Sequence, residues 1–218
     1  MAGDALDLVF PPSCLVCRSY EEIDRTRMLC LHCWDELFHP AAVPLVGAPQ
    51  TLSVLSAGEF RGTLRELIHR AKFSADPLPL RTFVRLLEKT LDAVGDTQFD
   101  VVTAVPGSSR RIRERGIDLP GVIARRLARV LGIPFDRTVL QRMKDVPPQT
   151  SLSRIERLKN LEGVFCVGTN DLKLVKILVV DDVTTTGATS IAVARALETA
   201  DPTSVTFLAI ARTLEEIS

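Results

Sequence analysis

The 218-residue chain has no net charge to steer it, since Lys+Arg and Asp+Glu both number 27. No whole-molecule field therefore draws it toward nucleic acid or an anionic membrane, and any such role must rest on local charge. No apolar run approaches the ~20 residues that cross a bilayer. The opening MAGDALDLVF carries Asp4 and Asp7 where a secretory signal carries positive charge, so the expectation is a soluble, cytoplasmic protein with no membrane insertion. Histidine is scarce. His32 falls inside a CxxC pair, His39 stands beside Pro40 and His69 covers a helix face, so no side chain reads as a general base. There is no internal repeat or low-complexity segment. What remains is ordinary globular composition, 46% hydrophobic and 25% charged, enough for one α/β domain with a small appendage.

Five cysteines are few for a disulfide scaffold, and four of them stand together as Cys14, Cys17, Cys30 and Cys33. Each CxxC pair brings two thiolates at i and i+3 onto one ion, and four sulfurs match tetrahedral Zn²⁺. Two disulfides or free thiols are the alternative. Four sulfurs close the coordination shell, so this zinc is expected to be structural; Arg18, Arg25 and Arg27 lie where they can soften the negative charge of the centre. Cys166, within the apolar stretch 164–167, reads as a small buried hydrophobe.

Pro40, Pro44, Gly47 and Pro49 break any period after Trp34, which places a boundary between a zinc-binding module, 1–46, and a second domain, 47–218. TLSVLSAGEF reads as a strand. Leu64, Leu67, Ile68 and Ala71 mark a helix, and a longer helix begins at Pro79 with Leu80, Phe83, Val84, Leu87 and Leu91 on one face. VVTAV at 101–105 is a buried strand; 119–131 is helical, with Arg125, Arg126 and Arg129 read as its solvated face. KILVV and SVTFLAIA are continuous apolar runs separated by the helix-like TSIAVARALETA. Continuous rather than alternating hydrophobicity marks strands covered on both faces, so the fold expected is an open, mostly parallel sheet flanked by helices.

The densest chemical signal is LVVDDVTTTGAT, where an apolar strand is expected to end in Asp181 and Asp182 ahead of Thr184, Thr185, Thr186, Gly187, Ala188 and Thr189. A turn leading into a helix N-terminus at the carboxyl end of a strand aims free N–H groups at an anion. Gly187 lets a ligand approach the backbone, and the threonine hydroxyls donate without adding charge. Acidic residues beside an anion site repel a bare phosphate, so they face sugar hydroxyls or Mg²⁺ bridging to a second phosphate. Simple capping of the next helix is the competing account. The string resembles the phosphoribosyl pyrophosphate (PRPP) motif of type I phosphoribosyltransferases. The resemblance implies that Asp181 and Asp182 face the ribose hydroxyls and that Thr184 to Thr189 hold the 5′-phosphate.

AVPGSSRRIRERG, just past VVTAV, offers Pro106, Gly107, Ser108, Ser109, Arg110 and Arg111 on the side where pyrophosphate leaves, and 110–129 holds seven arginines against Glu114 and Asp118. The polar stretch 142–160, with Pro147 and Pro148, is long for a connection and reads as a lid carrying Lys144, Gln149, Ser153, Arg157 and Asn160. The N-terminal cysteines followed by RERG, PPQTSLSRIERLKNLEGVF and VVDDVTTTGAT resemble the ComF/GntX family of phosphoribosyltransferase-like proteins over nearly the whole chain, with Gln149, Ser153, Arg157, Asn160, Gly163 and Phe165 at matching positions. The resemblance implies a type I phosphoribosyltransferase fold with a small N-terminal four-cysteine zinc module and a link to natural competence, the uptake of single-stranded DNA. It further implies an enzyme that binds PRPP with Mg²⁺ and passes the phosphoribosyl group to a nitrogen nucleophile. Asp181, Asp182 and Arg110 would be its catalytic residues. The alternative is a non-catalytic PRPP sensor or a protein associated with single-stranded DNA or with proteins of the uptake machinery. The chain departs from the family at Ser108, where histidine is frequent, at Asp118 and Leu119, where the pattern RGFNQ loses Asn and Gln, and at 44–50, which lack the further cysteines of many members.

Overall fold

The computed structural model describes residues 12–26, 28–73, 76–95, 98–144, 154–168 and 172–213, apart from the side chains of Arg111, Arg115, Arg154, Ile155 and Arg157. In chain order its elements begin with α1 (Leu31–Leu37), β1 (Ala41–Ala42), β2 (Leu52–Glu59), α2 (Gly62–Phe73), α3 (Pro79–Val94) and β3 (Val101–Ala104). There follow α4 (Ser109–Arg115), α5 (Leu119–Leu131), β4 (Leu140–Arg142), α6 (Arg154–Asn160), β5 (Phe165–Val167), β6 (Lys176–Thr184), α7 (Ala188–Glu198) and β7 (Ser204–Arg212).

Five strands form one sheet in the order β1-β2-β7-β6-β3, parallel throughout except for β1. The apolar runs at its centre are continuous because both faces are covered: Leu178 and Val180 of β6 point into one hydrophobic cluster, Ile177 and Val179 into the other. The first cluster takes the buried faces of α2, α3 and α5; the second takes α7 and the antiparallel β4–β5 pair. The helix ends follow backbone chemistry. α3 starts on Pro79, and α3 and α5 stop at Gly95 and Gly132, whose φ of 70° and 69° suit glycine.

The connection leaving β3 runs through α5 to 134–136, which pair with the outer edge of β3 through Val102 and Phe135, whereas β6 returns toward β7 through α7 on the opposite face. Neighbouring parallel strands whose connections depart to opposite faces leave a crevice at their carboxyl ends. That crevice lies between β3 and β6. The N-terminal cysteines are continuous with this architecture: Cys14, Cys30, Cys33, Trp34 and Leu37 share a core with Leu55, Ala57 and Leu64, and β1, which precedes residue 47, pairs with β2.

Three expectations need correction. β6 does not end at the two carboxylates but continues through Asp181 and Asp182 to Thr184, because the equally long β7 supplies partners as far as Arg212. The stretch 142–160 is not structureless at its ends: Arg142 closes β4 and 154–160 form α6. Gln149 and Ser153 lie outside the described residues, as do Asp4, Asp7 and Arg27. Cys166 sits on β5 and is partly, not fully, buried.

Candidate functional site

β3 stops at Ala104 opposite Val180, and the Val105 N–H donates to the Val180 carbonyl at 3.0 Å. Beyond this point β6 runs on without β3 beside it, so the turn 106–108 and the segment 181–187 face each other across the crevice. Asp181 and Asp182 come from the overhanging strand. The Asp182 N–H donates to Asp181 Oδ1 at 2.8 Å, and Asp182 Oδ2 pairs with Lys72 Nζ at 2.8 Å, both side chains only 15–17% exposed. Burial pushes the Asp181 carboxyl well above the carboxylate range, and the charges of Asp182 and Asp118 push the same way; the Asp182 N–H and Lys72 oppose them. Asp118 is raised too, chiefly by burial, against the Gly121 N–H and the charge of Arg137.

The turn after β6 leads through Thr185, Thr186 and Gly187 into α7. Gly187 adopts φ 73° and its carbonyl accepts from the Ile191 N–H and the Ser190 hydroxyl. Thr184 is buried in the strand, while Thr186 Oγ1 is buried with no hydrogen-bond partner. A hydroxyl left unmatched at a helix N-terminus fits a site whose remaining acceptor is a ligand oxygen. Gly187 has a second, unexpected reason to be glycine: a Cβ there would meet Leu45 Cδ2 at 2.4 Å, so a leucine from the segment before β2 packs directly on the turn.

On the other side of the crevice, Ser108 is buried and α4 begins at Ser109. Gly107 is hemmed in, an added Cβ falling 3.2 Å from Ile112 and 3.8 Å from Asp118 Oδ1, itself a buried oxygen without a partner. Arg110 lies at the surface, 3.6 Å from Glu114. Lys144 is exposed, as is Asn160 at the end of α6. Three contributors went unread in the sequence. Lys72 follows Ile68 by four residues and so stands on the buried stripe of α2, a position where a lysine needs a carboxylate; that was the available signal. Arg142 stacks over Phe165 at 5.4 Å and donates to the carbonyls of Lys144 (3.0 Å) and Pro106 (3.3 Å), tying the expected lid to the turn 106–108. Neither Arg142 nor Leu45 carries a sequence signal.

The four-cysteine cluster fits zinc. The four sulfurs lie within 4.8 Å of one another, and Cys17 Sγ and Cys30 Sγ are 3.7 Å apart. Zn–S bonds of about 2.3 Å in a tetrahedron set the sulfurs roughly 3.8 Å apart. No disulfide joins these cysteines. Burial raises the Cys14 thiol, but N–H groups of Cys30, Cys17 and Val16 outweigh it and bring it down to about 6, whereas burial and the neighbouring sulfurs push Cys33 up. One thiolate comes cheaply and the next ones need a cation among them. The centre is closed by four sulfurs and its role is structural.

Fold and crevice together define a phosphoribosyltransferase-like protein. Residues 116–217 match the phosphoribosyl transferase domain and 5–50 the double zinc ribbon domain. The chain is 31% identical over 169 residues to Competence protein F of Haemophilus influenzae, a span covering 73% of this chain and 74% of that protein. It is 28% identical over 208 residues to DNA utilization protein YhgH of Escherichia coli K12, covering 92% and 90%. Among solved structures it resembles the adenine phosphoribosyltransferase of Saccharomyces cerevisiae with a TM-score of 0.42 at 14% identity, covering 81% of this chain and 84% of the other. The chain belongs to the ComF family of phosphoribosyltransferase-like proteins with an N-terminal zinc module. Among the described residues, no helix is long and apolar enough to cross a membrane.

Proposed function

We propose that the crevice binds PRPP with Mg²⁺ and that the protein transfers the phosphoribosyl group to a nitrogen nucleophile, releasing pyrophosphate. The observation that carries this reading is the convergence, on one side of the crevice, of two partly buried carboxyl groups and a threonine turn whose Thr186 hydroxyl lacks a partner among the described residues. The turn 185–187 and the start of α7 at Ala188 and Thr189 anchor the 5′-phosphate with N–H groups and hydroxyls, with Thr184 at the end of β6 behind them. Asp181, held toward its neutral form, can both donate to and accept from a ribose hydroxyl, while Lys72 keeps Asp182 oriented. Mg²⁺, for which carboxylate oxygens are suitable donors, would neutralise the pyrophosphate. Pro106 to Ser109, facing the segment 181–187, are read as the pyrophosphate side, and Arg142 ties this turn to the segment read as a lid that would exclude water. Positioning and charge stabilisation supply the rate, so no side-chain nucleophile is required.

The test is thermal unfolding with PRPP and Mg²⁺. Ligand at 100 times its dissociation constant adds about 2.7 kcal/mol, or roughly 5–10 °C for a chain of this size. Asp181→Ala/Asp182→Ala should abolish the shift, and pyrophosphate should appear when an acceptor amine is supplied. A wild-type protein that does not respond to millimolar PRPP, or a double variant that responds fully, refutes the proposal. A second reading draws on the names of the relatives and on Leu45 and Lys72 already occupying the approach to the crevice: a cytoplasmic binding protein of DNA uptake, engaging single-stranded DNA or uptake proteins and sensing PRPP without turning it over. PRPP stabilisation without pyrophosphate release under any acceptor selects it.

A further inference from the structure

A cleft of about 310 Å³ opens at the carboxyl end of β3 on the side away from β6, between α5 and the strand-like 134–136. It adjoins the turn 106–108 at Pro106. Its walls bring together Arg125, Arg126 and Arg129 of α5 with Arg137 and the ring of Phe135. The three helix arginines, read in sequence as a solvated face, thus line a concavity. Among the described residues none of the four guanidinium groups forms an ion pair, whereas Arg61, Arg70, Lys72, Arg85, Lys89 and Arg110 each face a carboxylate. The one acid in the lining, Asp118, feels the charge of Arg137 but forms no ion pair with it, and burial pushes its carboxyl toward the neutral form. Four guanidinium groups without an ion-pair partner among the described residues repel one another in one cavity, and an anion relieves that repulsion.

We propose that this cleft is a second anion site that takes a nucleotide unit, its phosphate held by Arg126, Arg129 and Arg137 and its base stacked on Arg125. Guanidinium is suited to both tasks, forking bidentately onto phosphate and offering a flat face to a base. The Arg125 guanidinium lies 5.2 Å from the centroid of the Phe135 ring, which holds one of its faces while the residue remains exposed on the other. The volume lies at the lower end of the range for small-ligand sites, about 300–1,000 Å³, as a single nucleotide requires. That nucleotide can be free or part of a single strand, since the open cleft presents the same chemistry to both.

The experiment uses the full-length, zinc-loaded protein and two fluorescent probes, labelled adenosine diphosphate and a labelled single-stranded oligothymidylate, followed by anisotropy over a salt series. Saturable binding of either probe is expected, the probe that binds identifying the source. Arg126→Ala/Arg129→Ala should weaken it about tenfold or more, as loss of a charge-assisted contact of ~1.4 kcal/mol dictates, with the PRPP–Mg²⁺ thermal shift unchanged. In the oligonucleotide arm the salt slope should fall by about 0.7 for each phosphate contact removed. Arg125→Lys keeps the charge and loses the flat face, so several-fold weakening is expected there too. Absence of binding by both probes, or variants that bind like the wild type, overturns the proposal. A lost PRPP response with nucleotide binding intact would strike only the crevice reading.

Discussion

Lys72 reaches the acidic pair from α2, and removing it tests how the crevice tolerates its own carboxylates. The ammonium lies 2.8 Å from Asp182 Oδ2, with 15% and 17% of the two side chains exposed. At an effective dielectric of about 20, a pair at that distance attracts with roughly 6 kcal/mol, most of which is offset by desolvating both ions. Exposed pairs contribute about 0–1 kcal/mol, and breaking a fully buried pair costs about 3–5 kcal/mol, so Lys72→Met should cost about 2–3 kcal/mol, or roughly 4–12 °C in Tm. Asp182→Asn should cost less, because it also removes the repulsion between Asp182 and Asp181 that Lys72 opposes. A double-mutant cycle by urea unfolding at low salt should return a coupling of about 2 kcal/mol. A coupling under about 0.5 kcal/mol, or a larger loss for Asp182→Asn than for Lys72→Met, refutes the placement of Lys72 as the counter-charge of the pair.

Asp181 has a folded-state pKa raised above its ordinary 3.8, so both states are protonated below that pH and the residue then costs nothing. As pH rises past it, the unfolded chain ionises while the folded carboxyl resists, and the folded state loses stability until its own pKa is passed. Asp181→Asn, whose Oδ1 can still accept from the Asp182 N–H, is therefore expected to stabilise the protein at pH 7.5, with the gain shrinking toward pH 4; a difference that does not vary with pH, or a loss at neutral pH, contradicts the burial argument. Stripping the metal with a strong chelator should release one zinc per chain and lower the unfolding midpoint by roughly 10 °C or more. It should also shift to the red the emission of Trp34, the single tryptophan, which is 7% exposed in the core shared with Cys33. Unchanged Trp34 emission after metal loss argues against that shared core.

Local spacing made the four-cysteine site and the threonine–glycine turn ahead of α7 legible, because each is a run of neighbouring residues whose arrangement needs no distant partner. The helix expected at 119–131 spans those residues, since Pro120 and Gly132 punctuate it from within. β4 and β5 were missed because three-residue strands that pair mainly with each other carry no period. The extension of β6 over its carboxylates depends on the length of β7, which no local pattern in 181–184 encodes. Lys72 and Asp182 meet only through the fold, as do Leu45 and Gly187. The arginines of α5 were read correctly as lying off the core, but whether an outward face is convex or concave is decided by 134–137, which pack beside it.

Leu64 and Leu67, on the same helix as Lys72, are in the hydrophobic cluster that contains Cys30, Cys33 and Trp34. The helix that delivers the ammonium to the crevice is thus braced from behind by the metal knuckle. A cell starved of zinc, or oxidising those thiols, would be acting on the crevice and its acidic pair without anything touching the crevice itself.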